Sequence, residues 1–133
     1  MSRLLDTNVV IELIRRQPPL LLRRLMEHPA GSVALSSITV AELWYGVERS
    51  RERGRNQEAL DLLLRSFDIA PYGAEVARWY GRIRAGLEAR GLSIGPLDLL
   101  IAAHAASLDA VLVTNNTVEF ARVPELKLED WTT

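Results

Sequence analysis

Apolar and polar positions follow two periods along this chain, and the switches between them mark its elements. A short apolar run, Leu4-Leu5, ends in Asp6-Thr7-Asn8, and Val9, Val10, Leu13 and Ile14 then recur at helical spacing. That reads as strand, turn, helix. Gln17-Pro18-Pro19 stops this helix and opens a second short one through Leu21, Leu22 and Leu25, up to His28-Pro29. Val33, Ala34 and Leu35, between Gly31 and Ser36-Ser37, fit a buried parallel strand that feeds a helix cap, with Ser37 as the better cap.

The helix expected from Ile38 to Arg51 is apolar on almost every side, so it is either central or meets a partner. Ala59, Leu62, Leu63 and Phe67 mark a fourth helix after Gly54, and a brief strand at Ile69 precedes Pro71. From Ala74 to Ala89, Val76, Tyr80, Ile83 and Leu87 form one stripe, while Arg78 and Arg82 look outward. After the Ser93–Pro96 loop comes the most apolar helix, Leu97 to Leu108, then a buried strand from Ala110 to Val113 that ends in Thr114-Asn115-Asn116. Glu119-Phe120 follows, with a last edge strand at Leu126 to Leu128 before Trp131. Strands alternating with helices point to an α/β fold on a parallel sheet.

Composition narrows the class. With 133 residues, 48% of them hydrophobic, the chain suits one domain over 1–133. Without cysteine it has no disulfides or thiolate metal sites. No window is long and apolar enough for a membrane span or a signal peptide, so no membrane association and a cytoplasmic location are expected. A net charge of −1 does not announce a nucleic-acid binder. Its cations are nearly all Arg, however, and Arg49, Arg51, Arg53 and Arg55 lie close together. Guanidinium forks suit phosphate, although Glu48, Glu52 and Glu58 could equally pair with them at a solvated helix end.

The candidate chemistry lies in Asp6, Glu42, Asp98, Asn116 and Glu119. Each falls at the carboxyl end of a strand or in the helix leaving it, so right-handed crossovers would gather them at one sheet edge. Taken singly, Asp6 could be an N-cap, Asp98 a partner of a helix dipole, and Glu42 part of a capping box. Together they form an oxygen-only cluster that selects Mg²⁺, or Mn²⁺, and such ions serve phosphoryl chemistry. A metal-dependent phosphatase or DNA nuclease and a non-enzymatic interaction module are the alternatives. A haloacid-dehalogenase-like phosphatase would need a second Asp where this chain has Asn8, and a non-enzymatic module leaves Glu42 and Asp98 unexplained in apolar helices.

The set Leu5-Asp6-Thr7-Asn8, Ser37-Ile38-Thr39-Val40-Ala41-Glu42-Leu43, Pro96-Leu97-Asp98 and Val113-Thr114-Asn115-Asn116 with Glu119-Phe120 resembles the PIN domain, and within it the VapC-type toxin ribonucleases. The resemblance implies a three-layer fold, with a central, mostly parallel sheet of four to five short strands flanked by about seven helices. It also implies a toxin endoribonuclease that cuts tRNA, rRNA or mRNA with Mg²⁺ or Mn²⁺, forms a homodimer and is inhibited by a small antitoxin. By this likeness Asp6, Glu42 and Asp98 are the main acidic residues, and Asn116 stands where many members have Asp. Glu119 is then the remaining catalytic carboxylate, with metal held by Asp6, Asp98 and Asn116. Thr7, Asn8, Thr114 and Asn115 are supporting residues. Trp44, Leu43 and Val47, with Leu21, Leu22 and Leu25, are expected to form the antitoxin groove, because they offer more apolar surface than one sheet face covers.

Overall fold

The computed structural model describes residues 2–133. Strands β1 (Arg3–Leu5), β2 (Val33–Ser36), β3 (Asp68–Ala70), β4 (Val111–Val113) and β5 (Lys127–Glu129) form one sheet in the order β3-β2-β1-β4-β5. Every pairing is parallel. Leu4 stands opposite Ala34 on one side and Leu112 on the other, so β1 is the central strand. The helices are α1 (Thr7–Arg15), α2 (Pro19–Met26), α3 (Ser37–Glu48), α4 (Arg53–Leu64), α5 (Ala74–Ala89), α6 (Pro96–Ser107) and α7 (Thr117–Phe120).

Alternation along the strands divides the core in two. Leu4, Ala34 and Leu112 face a cluster completed by Val76, Ile83 and Leu87 of α5, Ile101 and the alanines of α6, and Phe120. Leu5, Val33, Leu35 and Val113 face the other side, where Val9, Val10 and Leu13 of α1, Leu21 of α2, Leu43 and Val47 of α3, Leu60 of α4 and Trp131 pack. This is the expected three-layer arrangement. The alanines let α6 lie close to α5 and to the sheet, so the most apolar helix is a central one.

Three local expectations shift, and one open choice is decided. Ser36, not Ser37, caps α3: its side chain accepts from Ile38 N at 3.1 Å, while Ser37 Oγ accepts from Tyr72 N at 3.1 Å. The break near Gly54 falls earlier, at Ser50–Glu52, and Gly54 lies in the first turn of α4. The last strand begins at Lys127 rather than Leu126. The arginine cluster takes the solvated form, with Arg53 paired to Glu48, Arg55 to Glu52, and Arg49 over the Tyr45 ring.

Helix α3 lies at the carboxyl edge of the sheet, which explains its apolar circumference. Ile38 packs on the first core cluster, Val40 and Trp44 pack on the second, and Tyr45 is 60% exposed.

Candidate active site

Parallel strands place their carboxyl ends, and the helix starts that follow, on one edge of the sheet. Asp6 is the first residue beyond β1 and is only 2% exposed. It also caps α1, since its Oδ1 accepts the Thr7 N–H at 2.8 Å. Capping and a role in the site are therefore compatible. Its Oδ2 accepts from Thr114 Oγ1 at 2.9 Å, and that hydroxyl in turn accepts from Asn116 N at 3.0 Å. One Asp6 oxygen is thus fixed by the start of its own helix and the other by the end of the neighbouring strand β4.

Asp6, Asn8, Glu42 and Asp98 line one pocket of about 200 Å³, with Thr7 beside them and Ile11, Ile38, Leu97 and Ile101 forming its apolar walls. Glu42 is half-buried and opens into this pocket, which is how a charge is accommodated on α3. Asp98 sits in the first turn of α6. Beside it, Glu119 Oε1 accepts from Gly95 N at 2.8 Å and Oε2 accepts from Asn116 Nδ2 at 2.9 Å. Asn116, expected to offer an oxygen to a metal, turns its NH₂ to Glu119 and so orients that carboxylate instead. Asn115 is exposed and lies outside the pocket lining.

The electrostatics describe a centre short of positive charge. Burial pushes the Asp6 carboxyl up, against the bonds from Thr114 and Thr7. Asp98 is pushed up to about 6 by burial first, then by the Asp6 and Glu119 charges. Glu119 is held below its ordinary range by the Gly95 N–H and the Asn116 amide, and it shares a hydrogen bond with Asp98. Among the described residues, none of the four carboxylates forms an ion pair.

These shifts set a stability prediction for the metal-free protein. A folded-state pKa above the unfolded one means that Asp98 contributes stability below about pH 4 and loses it as pH rises through 6. Asp98→Asn should therefore stabilise the chain in EDTA by about 1–2 kcal/mol at pH 7, after allowance for partial solvent screening, and by nearly nothing at pH 4. Thermal unfolding at both pH values checks this. An equal shift at each would show that the carboxylate carries no such burden.

Two contributors carry little signal in the sequence. Thr39, fully buried, brings its Oγ1 to 2.9 Å from Thr7 Oγ1 and so ties α3 to the start of α1. Its only sequence signal is its place one turn before Glu42. Gly95 supplies the N–H to Glu119, and a Cβ there would stand 3.6 Å from Asp98 Oδ2 and 3.7 Å from Glu119 Oε1.

The expected groove residues separate. Leu43 and Val47 line a cleft of about 260 Å³ between α1, α3 and α4, with Ile11, Ile14, Gly46 and Leu60. Trp44, Leu22 and Leu25 pack instead against the core cluster beneath, and Leu21 is buried in it. Glu42 and Ile11 border both this cleft and the acidic pocket.

The PIN domain profile matches residues 3–126. Ribonuclease VapC2 of Rickettsia felis is 42% identical over 132 residues, covering 98% of each chain. The tRNA(fMet)-specific endonuclease VapC of Shigella flexneri is 40% identical over 96% of each. Among solved structures, the DNA-bound VapBC of Salmonella typhimurium superimposes with a TM-score of 0.95 at 37% identity, covering 98% of each chain. Such agreement along nearly the whole length, on a sheet whose carboxyl edge collects the acidic residues, makes this chain a member of the PIN-domain family of the VapC ribonuclease type.

Proposed function

We propose that this chain is a metal-dependent endoribonuclease toxin held in check by a small antitoxin protein. The observation that carries the reading is the buried Asp6 carboxylate, fixed at both oxygens and facing a pocket shared with Glu42 and Asp98. As placed, no three of the described carboxylates close around a single ion. Their chemistry nevertheless fits a hard divalent cation. The donors are all oxygens, two of the groups are burdened by burial, and no protein cation neutralises them. Asp6 and Asp98 would hold Mg²⁺ or Mn²⁺, with Glu119 beside Asp98 and Glu42 across the pocket.

When bound, the ion supplies Lewis-acid polarisation of a phosphate and a water of lowered pKa. The protein's own part is orientation. Thr114 and Thr7 fix Asp6, while Asn116 and Gly95 fix Glu119, and partners of this kind hold site carboxylates in productive geometry. Asn8, on the pocket rim, would donate to a phosphate oxygen.

The Shigella relative's name points to structured RNA of the tRNA class as the substrate to try first. The VapBC assemblies of the relatives point to a cognate antitoxin. An antitoxin segment lying in the α1–α3–α4 cleft would reach Glu42, where the cleft meets the acidic pocket. A cationic side chain at its end could pair with the carboxylates and so exclude the metal.

The test is cleavage of a tRNA panel by the purified chain. Cutting in Mg²⁺ or Mn²⁺, lost in EDTA and restored by excess Mn²⁺, is the expected result. Intact RNA in both metals would overturn the reading.

A further inference from the structure

A third cavity, of about 170 Å³, lies between α5 and the start of α6. Its floor is apolar, made by the buried Leu87 and Leu99. Its rim is polar. Arg84 Nη1 donates to the Tyr80 hydroxyl at 3.1 Å and Arg84 Nε donates to Glu88 Oε2 at 3.1 Å, with Ser93 opposite. Pro96 forms another wall, and the segment containing it also borders the acidic pocket: Gly95 N–H holds Glu119, and Asp98 follows Pro96 by about 3 Å of helical rise. The cavity and the acidic pocket therefore lie on two sides of one segment, Pro96–Asp98.

The lining chooses the ligand. Arg84 is already balanced by Glu88, so the rim carries no surplus positive charge, and the Glu88 carboxylate would repel a phosphate. A nucleobase suits it instead: its flat apolar face meets Leu87 and Leu99, and its edge meets the donors of Arg84, the acceptor of Glu88 and the hydroxyls of Tyr80 and Ser93. Single-stranded RNA is held through splayed bases of this kind. We propose that this cavity is a nucleobase subsite, which seats a base next to the scissile phosphate while the carboxylates act on the backbone. The proposal rests on the ribonuclease reading.

Two substrates and two variants test it in the full chain with Mn²⁺. The substrates are a mixed-sequence single-stranded RNA of about a dozen nucleotides and bis(p-nitrophenyl) phosphate, a phosphodiester without bases. Ser93→Trp fills the cavity, and Arg84→Ala strips its exposed rim. Each should raise KM for the RNA about tenfold, the order expected for one stacked base, and leave hydrolysis of the base-free ester at the parent rate. An unchanged KM in Arg84→Ala overturns the subsite even if Ser93→Trp fails to fold. Equal losses on both substrates also overturn it, because they show that the loop has merely displaced Glu119. A Ser93→Trp chain whose sedimentation departs from the parent's assigns the cavity to a second copy of the chain, and this too overturns the subsite. A parent chain that hydrolyses the ester but not RNA refutes the ribonuclease reading instead.

Discussion

Asp6→Asn should reduce RNA cleavage by at least about a thousandfold while leaving the fold in place. The loss follows from charge: a metal centre contributes several kcal/mol of transition-state stabilisation, and each 1.36 kcal/mol is tenfold in rate. Persistence of the fold follows from the hydrogen bonds. Asn still caps α1, because its carbonyl oxygen takes the Thr7 N–H that Asp6 Oδ1 accepts. Its NH₂ faces Thr114 Oγ1, which must then accept where it had donated. That stranded hydroxyl hydrogen costs about 1 kcal/mol, and removal of a desolvated carboxylate opposes the cost. The expected outcome is a midpoint within a few degrees of the parent's and an absence of cutting, read by thermal unfolding and an RNA cleavage assay on the same preparation. Cleavage within tenfold of the parent's would return Asp6 to a purely capping role.

The second large effect concerns release from the antitoxin. Gly46 is exposed on α3 beside the cleft, and a Cβ built on it meets nothing within 4 Å. Gly46→Trp thus places an indole in the cleft without disturbing the core, and replacing a mid-helix Gly favours the helix. A segment seated there is displaced. Affinity for the cognate antitoxin should fall by about a hundredfold or more, the scale of losing a central apolar anchor, while RNA cleavage by the free chain stays within about twofold. Calorimetric titration with the antitoxin and a cleavage assay decide it, and an unaltered affinity would move the docking surface elsewhere. Trp44→Ala, by contrast, should act mainly on stability, because Trp44 packs on the core cluster below the cleft.

What the sequence made legible was whatever one period and its punctuation specify. The run into Asp6-Thr7-Asn8 and the helix after it are local, and so are β4 with its polar end and the apolar register of α6. Because the sheet is wholly parallel, the position of each acidic residue after its strand already implied a common edge. What stayed hidden was long-range pairing. Ser36 and Ser37 are interchangeable as caps until Tyr72, 35 residues on, claims Ser37. Thr39 reads as an ordinary helical residue until Thr7 is seen opposite it. Asn116 reads as a weakened acid, and only its contact with Glu119 shows the amide at work. The apolar circumference of α3 left a central place and a partner equally open, and only the two core clusters show how much of it the fold itself covers.

The sheet order also fixes when the chain becomes dangerous during its own synthesis. Asp6 emerges from the ribosome early, but the hydroxyl that clamps it belongs to Thr114, 108 residues later, and Glu119 follows still later. A parallel pairing cannot form until its whole crossover exists, so β4 joins β1 only when more than four-fifths of the chain has been made. A nascent chain of a hundred residues carries Asp6, Glu42 and Asp98 without the strand that draws them together. The acidic edge is therefore assembled late in synthesis, and a nascent chain that has yet to form β4 lacks the Thr114 clamp on Asp6.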